Sequence, residues 1–261
     1  MPPELTAAFV ASAQIIACMM VIVWLLSLIL RDASIVDLVW GLGFVLVAWT
    51  VFITVPGESV TRWLLVGLTS LWGLRLCVYL ARRNLGNPED FRYQQMRSRR
   101  PWFPLTSLYV VFGLQGVVMW VVSLPLQVSI ATSQNGWSWL HFVGAAVWAT
   151  GLFFEAVGDW QLARFRTNPE NAGQVLNTGL WRFTRHPNYF GDFLVWWGLY
   201  LVAVAQSDAW WTAIGPIVMS VFLMRVSGVT LLEKSLGESK PGYQDYVRKT
   251  NAFFPAPPKR L

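Results

Sequence analysis

The sequence predicts an all-α, polytopic membrane protein with seven transmembrane helices. Hydrophobic residues make up 55% of the 261 positions and charged residues only 13%, against about 25% charged in an ordinary soluble domain. The 16 tryptophans point the same way, because tryptophan favours the membrane–water interface. No hydrophilic block is long enough for a second domain. We therefore predict one integral-membrane domain over residues 1–261.

Seven apolar segments approach the roughly 20 residues that a helix needs to cross a bilayer. The first is too long for a signal-peptide core and lacks a basic start, so we expect it to be retained. All Lys and Arg except Arg62, Arg75 and Arg225 fall on the loops of one side. This asymmetry predicts an external N-terminus and a cytoplasmic C-terminus. The predicted spans are residues 7–30, 36–55, 61–81, 106–129, 138–158, 189–206 and 209–230.

Three polar regions face the predicted cytoplasmic side, so they can converge on one site: residues 82–104, 164–188 and 233–261. The net charge of +6 comes from these short loops and indicates membrane topology, with no nucleic acid expected as a partner.

His186 has no Cys or second His near it, because His141 lies on the opposite side, so no metal site is expected. The sequence has no Rossmann or P-loop fingerprint.

The segment from Thr178 to Asp192 concentrates polar residues beside an apolar span. Pro187 is typical of the first position of a helix, and a helix N-terminus with free N–H groups favours an anion. Polar groups near a bilayer need a compensating partner, which predicts an anionic ligand here. The candidate ligand-binding residues are Arg185, His186, Asn188, Tyr189 and Asp192.

Further candidates flank this segment. Arg75, Tyr79 and Arg82 share one helical face and line a cavity, or else Arg75 pairs with a carboxylate such as Asp37. Asp159 and Arg166 also share a face, as a ligand site or as an ordinary salt bridge.

The loop after the third span carries Arg92 and Tyr93, which could grip a phosphorylated cofactor or, with its neighbouring arginines, anchor lipid headgroups. Near the C-terminus, Arg225, Glu233, Tyr243 and Tyr246 are candidates for cofactor contacts. For the two tyrosines the alternative is packing at the membrane interface.

Two motifs together resemble the steroid 5-alpha-reductase family, in particular its bacterial branch: TGLWRFTRHPNYFGD and LLEKSLGESKPGYQDYVRKT. The second half is more loosely similar to sterol C14-reductases and isoprenylcysteine carboxyl methyltransferases. The resemblance implies a seven-helix bundle with a cytoplasm-facing NADPH site, formed by residues 131–261, and substrate-pocket helices in residues 1–130.

The resemblance also implies roles for particular residues. Asn188 and Asp192 match the family's N-x-x-G-[ED] element, and Trp196 follows one turn later. Asp159 and Arg166 match an Asp and an Arg, seven residues apart, that hold the cofactor.

Tyr79 and Arg82 match a Tyr-x-x-Arg element whose tyrosine meets the substrate carbonyl. Asp37 falls where the family has a catalytic glutamate, although Val36 replaces the glutamine that usually precedes it. Arg92, Arg225 and Glu233 align approximately with cofactor residues.

The implied activity is NADPH-dependent reduction of the C4=C5 double bond of a 3-oxo-Δ4 steroid or a related lipophilic enone, with Tyr79 and Asp37 catalytic. The substrate would enter from the bilayer, and we expect a monomer among membrane lipids, in the bacterial inner membrane if the bacterial resemblance holds. The alternatives are an S-adenosylmethionine-dependent membrane methyltransferase and a non-enzymatic lipid-binding or transport protein.

Overall fold

A computed structural model describes residues 1–226 and 242–259, and within these ranges the chain is helical and forms no strand. The helices are α1 (Pro3–Leu30), α2 (Ile35–Leu38), α3 (Trp40–Thr54), α4 (Val60–Asn84), α5 (Phe91–Arg99), α6 (Phe103–Val122), α7 (Leu124–Thr132), α8 (Trp139–Thr167), α9 (Pro187–Ala203), α10 (Ile214–Val221) and α11 (Tyr243–Lys249). The prediction of an all-α fold is confirmed for the described ranges.

Four of the described helices are long and apolar enough to cross a membrane: α1, α4, α6 and α8. They identify the chain as an integral membrane protein. Two other predicted spans coincide with shorter apolar helices, namely α3 and the stretch Trp210–Arg225 around α10. The predicted span 189–206 overlaps α9. The count of seven spans and the orientation stay predictions.

The predicted span 106–129 is two consecutive helices. Helix α6 ends at Val122, Ser123 leaves the helical conformation, and α7 begins at Leu124. Pro125 occupies the first turn of α7. Because proline has no N–H and clashes with the preceding turn, a helix that reaches this point must restart rather than continue.

The chain forms two compact units. The first unit comprises residues Met1–His141 and Val202–Gly215, and the second comprises Phe142–Leu201 and Pro216–Leu261. Helices α8 and α9 therefore each contribute to both units. The assignment of residues 1–130 to substrate and 131–261 to cofactor concerns function and stays a prediction.

In each unit, glycines let two helices touch backbone to backbone. A Cβ on Gly41 of α3 would lie 2.3 Å from the carbonyl oxygen of Gly73 on α4. In the second unit, a Cβ on Gly151 of α8 would lie 2.6 Å from the carbonyl oxygen of Gly191 on α9. Any larger residue would push these helices apart, so the glycines set the spacing at which the neighbouring polar side chains meet.

Arg62 joins three helices of the first unit. Its guanidinium donates to the carbonyl oxygens of Phe52 and Val55, at 2.9 and 2.7 Å, and to that of Ile130. These carbonyls lie at the C-terminal ends of α3 and α7, where intrahelical partners are missing. Arg62 is only 3% exposed, so the one basic residue of the predicted external loops is a buried helix cap.

We expect Arg62→Met to lower the free energy of unfolding by about 3 kcal/mol or more, because it leaves buried carbonyl groups without a donor. Chemical unfolding of the purified protein in detergent measures this change. Arg83→Met, which removes an exposed arginine of the same helix, is the matched control and should change stability far less. Equal stability of the two variants would contradict the capping role.

Candidate functional site

A network of hydrogen bonds in the first unit is built on Asp37. This residue lies on α2, just before the apolar helix α3. Its Oδ1 accepts a hydrogen bond from the Tyr93 hydroxyl at 2.8 Å, and its Oδ2 accepts one from Arg92 Nη2 at 2.8 Å. The two donors come from α5, more than 50 residues along the chain. A predicted catalytic residue and two predicted cofactor residues are thus direct partners.

The Tyr93 hydroxyl has a second partner, because Gln115 Nε2 donates to it at 3.1 Å. The Oε1 atom of Gln115 in turn accepts from the indole N–H of Trp40. This arrangement fixes the direction of the bonds: Tyr93 accepts from Gln115 and donates to Asp37. We call Asp37, Trp40, Asp90, Arg92, Tyr93 and Gln115 the Asp37 cluster.

Helix α5 is held in place by acidic side chains. Asp90 caps its N-terminus by accepting from the backbone N–H of Arg92 at 2.9 Å, and it also accepts from Arg92 Nε at 2.9 Å. Glu89 accepts from Arg97 Nη2 and from the backbone N–H of Ala33, both at 2.8 Å. A phosphate at Arg92 or Arg97 would therefore have to compete with carboxylates that are already bound.

The electrostatics of the Asp37 cluster differ from one group to the next. Burial and the Asp37 charge raise the pKa of Tyr93. Burial also disfavours the charge on Asp90, but the hydrogen bonds from Arg92 outweigh it and hold its pKa below the usual value. The phenol of Tyr93 is therefore kept protonated.

Tyr79 and Arg82 lie on α4. The guanidinium carbons of Arg75 and Arg83 lie 5.7 and 5.9 Å from the centre of the Tyr79 ring, within reach of cation–π attraction. Arg82 is exposed in the last turn of the helix. The hydroxyl of Tyr93, which the sequence had grouped with the cofactor residues, is the one observed to donate to Asp37.

In the second unit, the polar groups meet where α9 begins. Helix α9 starts at Pro187, as predicted. Asn188 Nδ2 donates to Asp159 Oδ1 of α8 at 3.2 Å, and Asp159 is only 4% exposed. The ring of His186 is buried and stacks on Tyr189 with a centroid distance of 5.6 Å.

Other predicted residues lie along the same helices. Asp192 and Trp196 follow on α9, with Asp192 half-buried and Trp196 fully buried. Arg166 is exposed in the last turn of α8. Asp159 and Asn188 are thus brought together, whereas Arg166 lies on the surface.

The remaining predicted residues connect to the C-terminal segment. Arg185 Nη1 donates to the carbonyl oxygens of Val247, at 3.0 Å, and of Thr250. The Tyr246 hydroxyl donates to the carbonyl oxygen of Trp181. Through these contacts Arg185 and Tyr246 stabilise the packing of the C-terminal segment.

Three further predicted residues lie between positions 225 and 243. Tyr243 is buried against the Tyr246 ring, with a centroid distance of 6.0 Å. Arg225 is exposed, and Glu233 lies outside the described residues.

Sequence reasoning missed three polar residues inside or beside apolar helices. Gln115 bridges Trp40 and Tyr93, and Glu89 anchors α5. Glu155 is 3% exposed and lies one turn before Asp159 on α8. Gln115 and Glu155 had a usable signal, because a polar residue within an apolar span is costly and calls for a partner. No group of His, Cys, Asp and Glu in the described ranges could hold a metal ion.

Two comparisons with known proteins gave matches. The model of the family DUF1295, described as a protein of unknown function, matches residues 23–250. Uncharacterized protein C594.04c of Schizosaccharomyces pombe is 25% identical over 217 residues, covering 72% of this chain and 61% of the relative.

The chain therefore spans about three fifths of the length of that curated relative. No solved structure matches the chain. The family match includes all six members of the Asp37 cluster and the Asp159–Asn188 pair, and the chain belongs to the DUF1295 family.

Proposed function

We propose that this protein is a membrane reductase that uses NADPH to reduce a C=C bond conjugated to a ketone in a lipophilic substrate, such as a 3-oxo-Δ4 steroid. The observation that carries the proposal is the Tyr93 phenol, buried, kept protonated and held between Gln115 and Asp37. A positioned proton donor with a supporting acid is what an enone needs on its carbonyl oxygen.

The Asp37 cluster can deliver a proton along a defined path. When bound, NADPH would supply a hydride equivalent to the β-carbon of the enone, so negative charge collects on the ketone oxygen. In the structure the Tyr93 hydroxyl donates to Asp37, so it must turn from Asp37 to the ketone oxygen to give that oxygen a proton. The phenol then recovers a proton through Asp37, which takes one up from water. The resulting enol returns to the ketone when the α-carbon takes a proton from water and the oxygen releases its own.

The second unit supports the cofactor. The candidate cofactor site is next to the first turn of α9. It offers two carboxylate acceptors, Asp159 and Asp192, and the amide of Asn188. This chemistry fits the carboxamide of a nicotinamide, which both donates and accepts hydrogen bonds. Exposed Arg166 of the same unit is available for a phosphate group. The residues present therefore fit the cofactor.

The proposal includes the predicted topology. Seven spans with a cytoplasmic C-terminus would open the site to the cytoplasm of a bacterial cell, where NADPH is available. An apolar substrate would reach the first unit from the lipid. The many exposed apolar side chains on α1 and α4 are consistent with lipid contact.

Replacing the proton donor should abolish most of the activity. On an accepted enone, Tyr93→Phe should lower kcat by about 100-fold or more, because it removes the group that stabilises the charge on oxygen. NADPH oxidation by purified protein in detergent, with progesterone or testosterone, measures this rate. Tyr79→Phe is the matched control: a comparable loss there, with Tyr93→Phe fully active, would make Tyr79 the donor and overturn this assignment.

The Tyr93 phenol should ionise only at a pH above about 10, the ordinary value for tyrosine. A raised pKa means that the neutral form persists as the pH increases, because burial and the Asp37 charge both disfavour a phenolate. Phenolate absorbance of the wild type minus that of Tyr93→Phe isolates this group. Asp37→Asn should lower the midpoint. A midpoint at or below 10 in the wild type would contradict the assigned environment.

Cofactor binding separates the proposal from its rivals. We expect purified protein to bind NADPH and not S-adenosylmethionine, and Asp159→Asn should weaken NADPH binding by about tenfold through loss of a charged hydrogen-bond acceptor. Isothermal titration calorimetry measures both ligands. Binding of S-adenosylmethionine alone would favour the methyltransferase, and binding of neither would favour a non-enzymatic lipid protein.

A further inference from the structure

A cleft of about 710 Å³ opens in the second unit, beside the segment that follows α8 and beside α11. Its polar lining includes Asn177, Arg182, Asp245, Tyr246, Lys249 and Thr250. The volume lies within the roughly 300–1,000 Å³ range of small-molecule sites. The polar residues at the start of α9 that we assign to the nicotinamide do not line it. Of the predicted cofactor residues that the structure describes, Tyr246 alone lies on its wall.

The cleft carries uncompensated positive charge. The side chains of Arg182 and Lys249 are exposed and make no hydrogen bond or ion pair with any described residue. The single acidic residue among the lining residues, Asp245, is bonded to Arg248 of the same helix. Two cations are thus available to a ligand, while the charge of the nearby carboxylate is already balanced.

The helix end beside the cleft would ordinarily repel an anion. Lys249 and Thr250 lie at the C-terminus of α11, where free carbonyl groups create partial negative charge. The buried guanidinium of Arg185 donates to two of these carbonyls, those of Val247 and Thr250. This cap removes the repulsion, so the cleft can favour a negatively charged group.

We propose that this cleft binds the phosphate group of an organic phosphate ester, with Arg182 and Lys249 as its cationic partners and Asn177 as an amide donor. A volume of about 710 Å³ leaves room for an organic body, and Val175 and Pro258 offer apolar surface for it. The ester is either a soluble molecule or a lipid headgroup. This proposal does not depend on the proposed function.

The test measures binding to the purified full-length protein in a neutral detergent. The soluble probes are adenosine 2′-monophosphate and adenosine, and the lipid probes are phosphatidic acid and diacylglycerol. We expect one phosphate-bearing probe to bind clearly more tightly than its phosphate-free counterpart. The pair that shows the difference identifies the source as soluble or lipid.

Variants of the lining residues then test whether the preference for the phosphate-bearing probe arises in the cleft. Arg182→Gln should weaken binding of the preferred probe about tenfold, and Arg182→Gln with Lys249→Gln should abolish the preference. Arg99→Gln, which removes an exposed arginine of the first unit, should leave it unchanged. Unchanged melting temperatures show that the variants are folded. The proposal is overturned if no phosphate-bearing probe is preferred, if the double variant retains the preference, or if Arg99→Gln weakens it equally.

Discussion

The carboxyl group of Asp37 connects the parts of the first unit that carry its chemistry. Helix α5 has only nine residues, below the roughly 12 that an isolated helix needs to be stable in water. Its position depends on the cap at Asp90, the Glu89–Arg97 pair and the bonds from Arg92 and Tyr93 to Asp37. Without that carboxyl group, the Tyr93 hydroxyl would lose the acceptor that directs it.

Arginine serves two purposes in this protein, and burial separates them. Arg62 and Arg185 are buried, and their guanidinium groups satisfy carbonyl oxygens at the ends of helices. Buried charge is tolerated there because each cation receives several acceptors and the helix ends lose their unsatisfied groups. Exposed arginines such as Arg82, Arg166 and Arg182 cap no helix end among the described residues. They are the ones available to ligands.

Local patterns in the sequence predicted the parts of the fold that depend on neighbouring residues. Apolar run lengths located the helices, and Pro187 marked the start of α9. The break at Ser123 was missed because the apolar run continues across it. The number of spans and the orientation depend on a bilayer, which composition addresses only indirectly.

The sequence identified many residues of the candidate site, but it could not predict which of them bond to each other. Asp37, Arg92 and Tyr93 were each singled out, but their bonds join positions 55 and 56 residues apart. The bonds of Arg185 to Val247 and Thr250 span more than 60 residues, so a capping arginine looked like a ligand-binding one. Gln115 and Glu155 carried a signal, since each interrupts an apolar helix, whereas Glu89 in a polar loop carried none.

A double-mutant cycle on Asp37 and Tyr93 tests the central claim most directly, since the claim is that these two side chains act as one proton-donating unit. The measurement is the rate of NADPH-dependent reduction of an accepted enone by Asp37→Asn, by Tyr93→Phe and by the protein carrying both. We predict that the double variant is no slower than the slower single variant, because groups that act as a unit show strongly non-additive losses. A double variant whose loss equals the product of the two single losses would show that the residues act independently and would contradict the account.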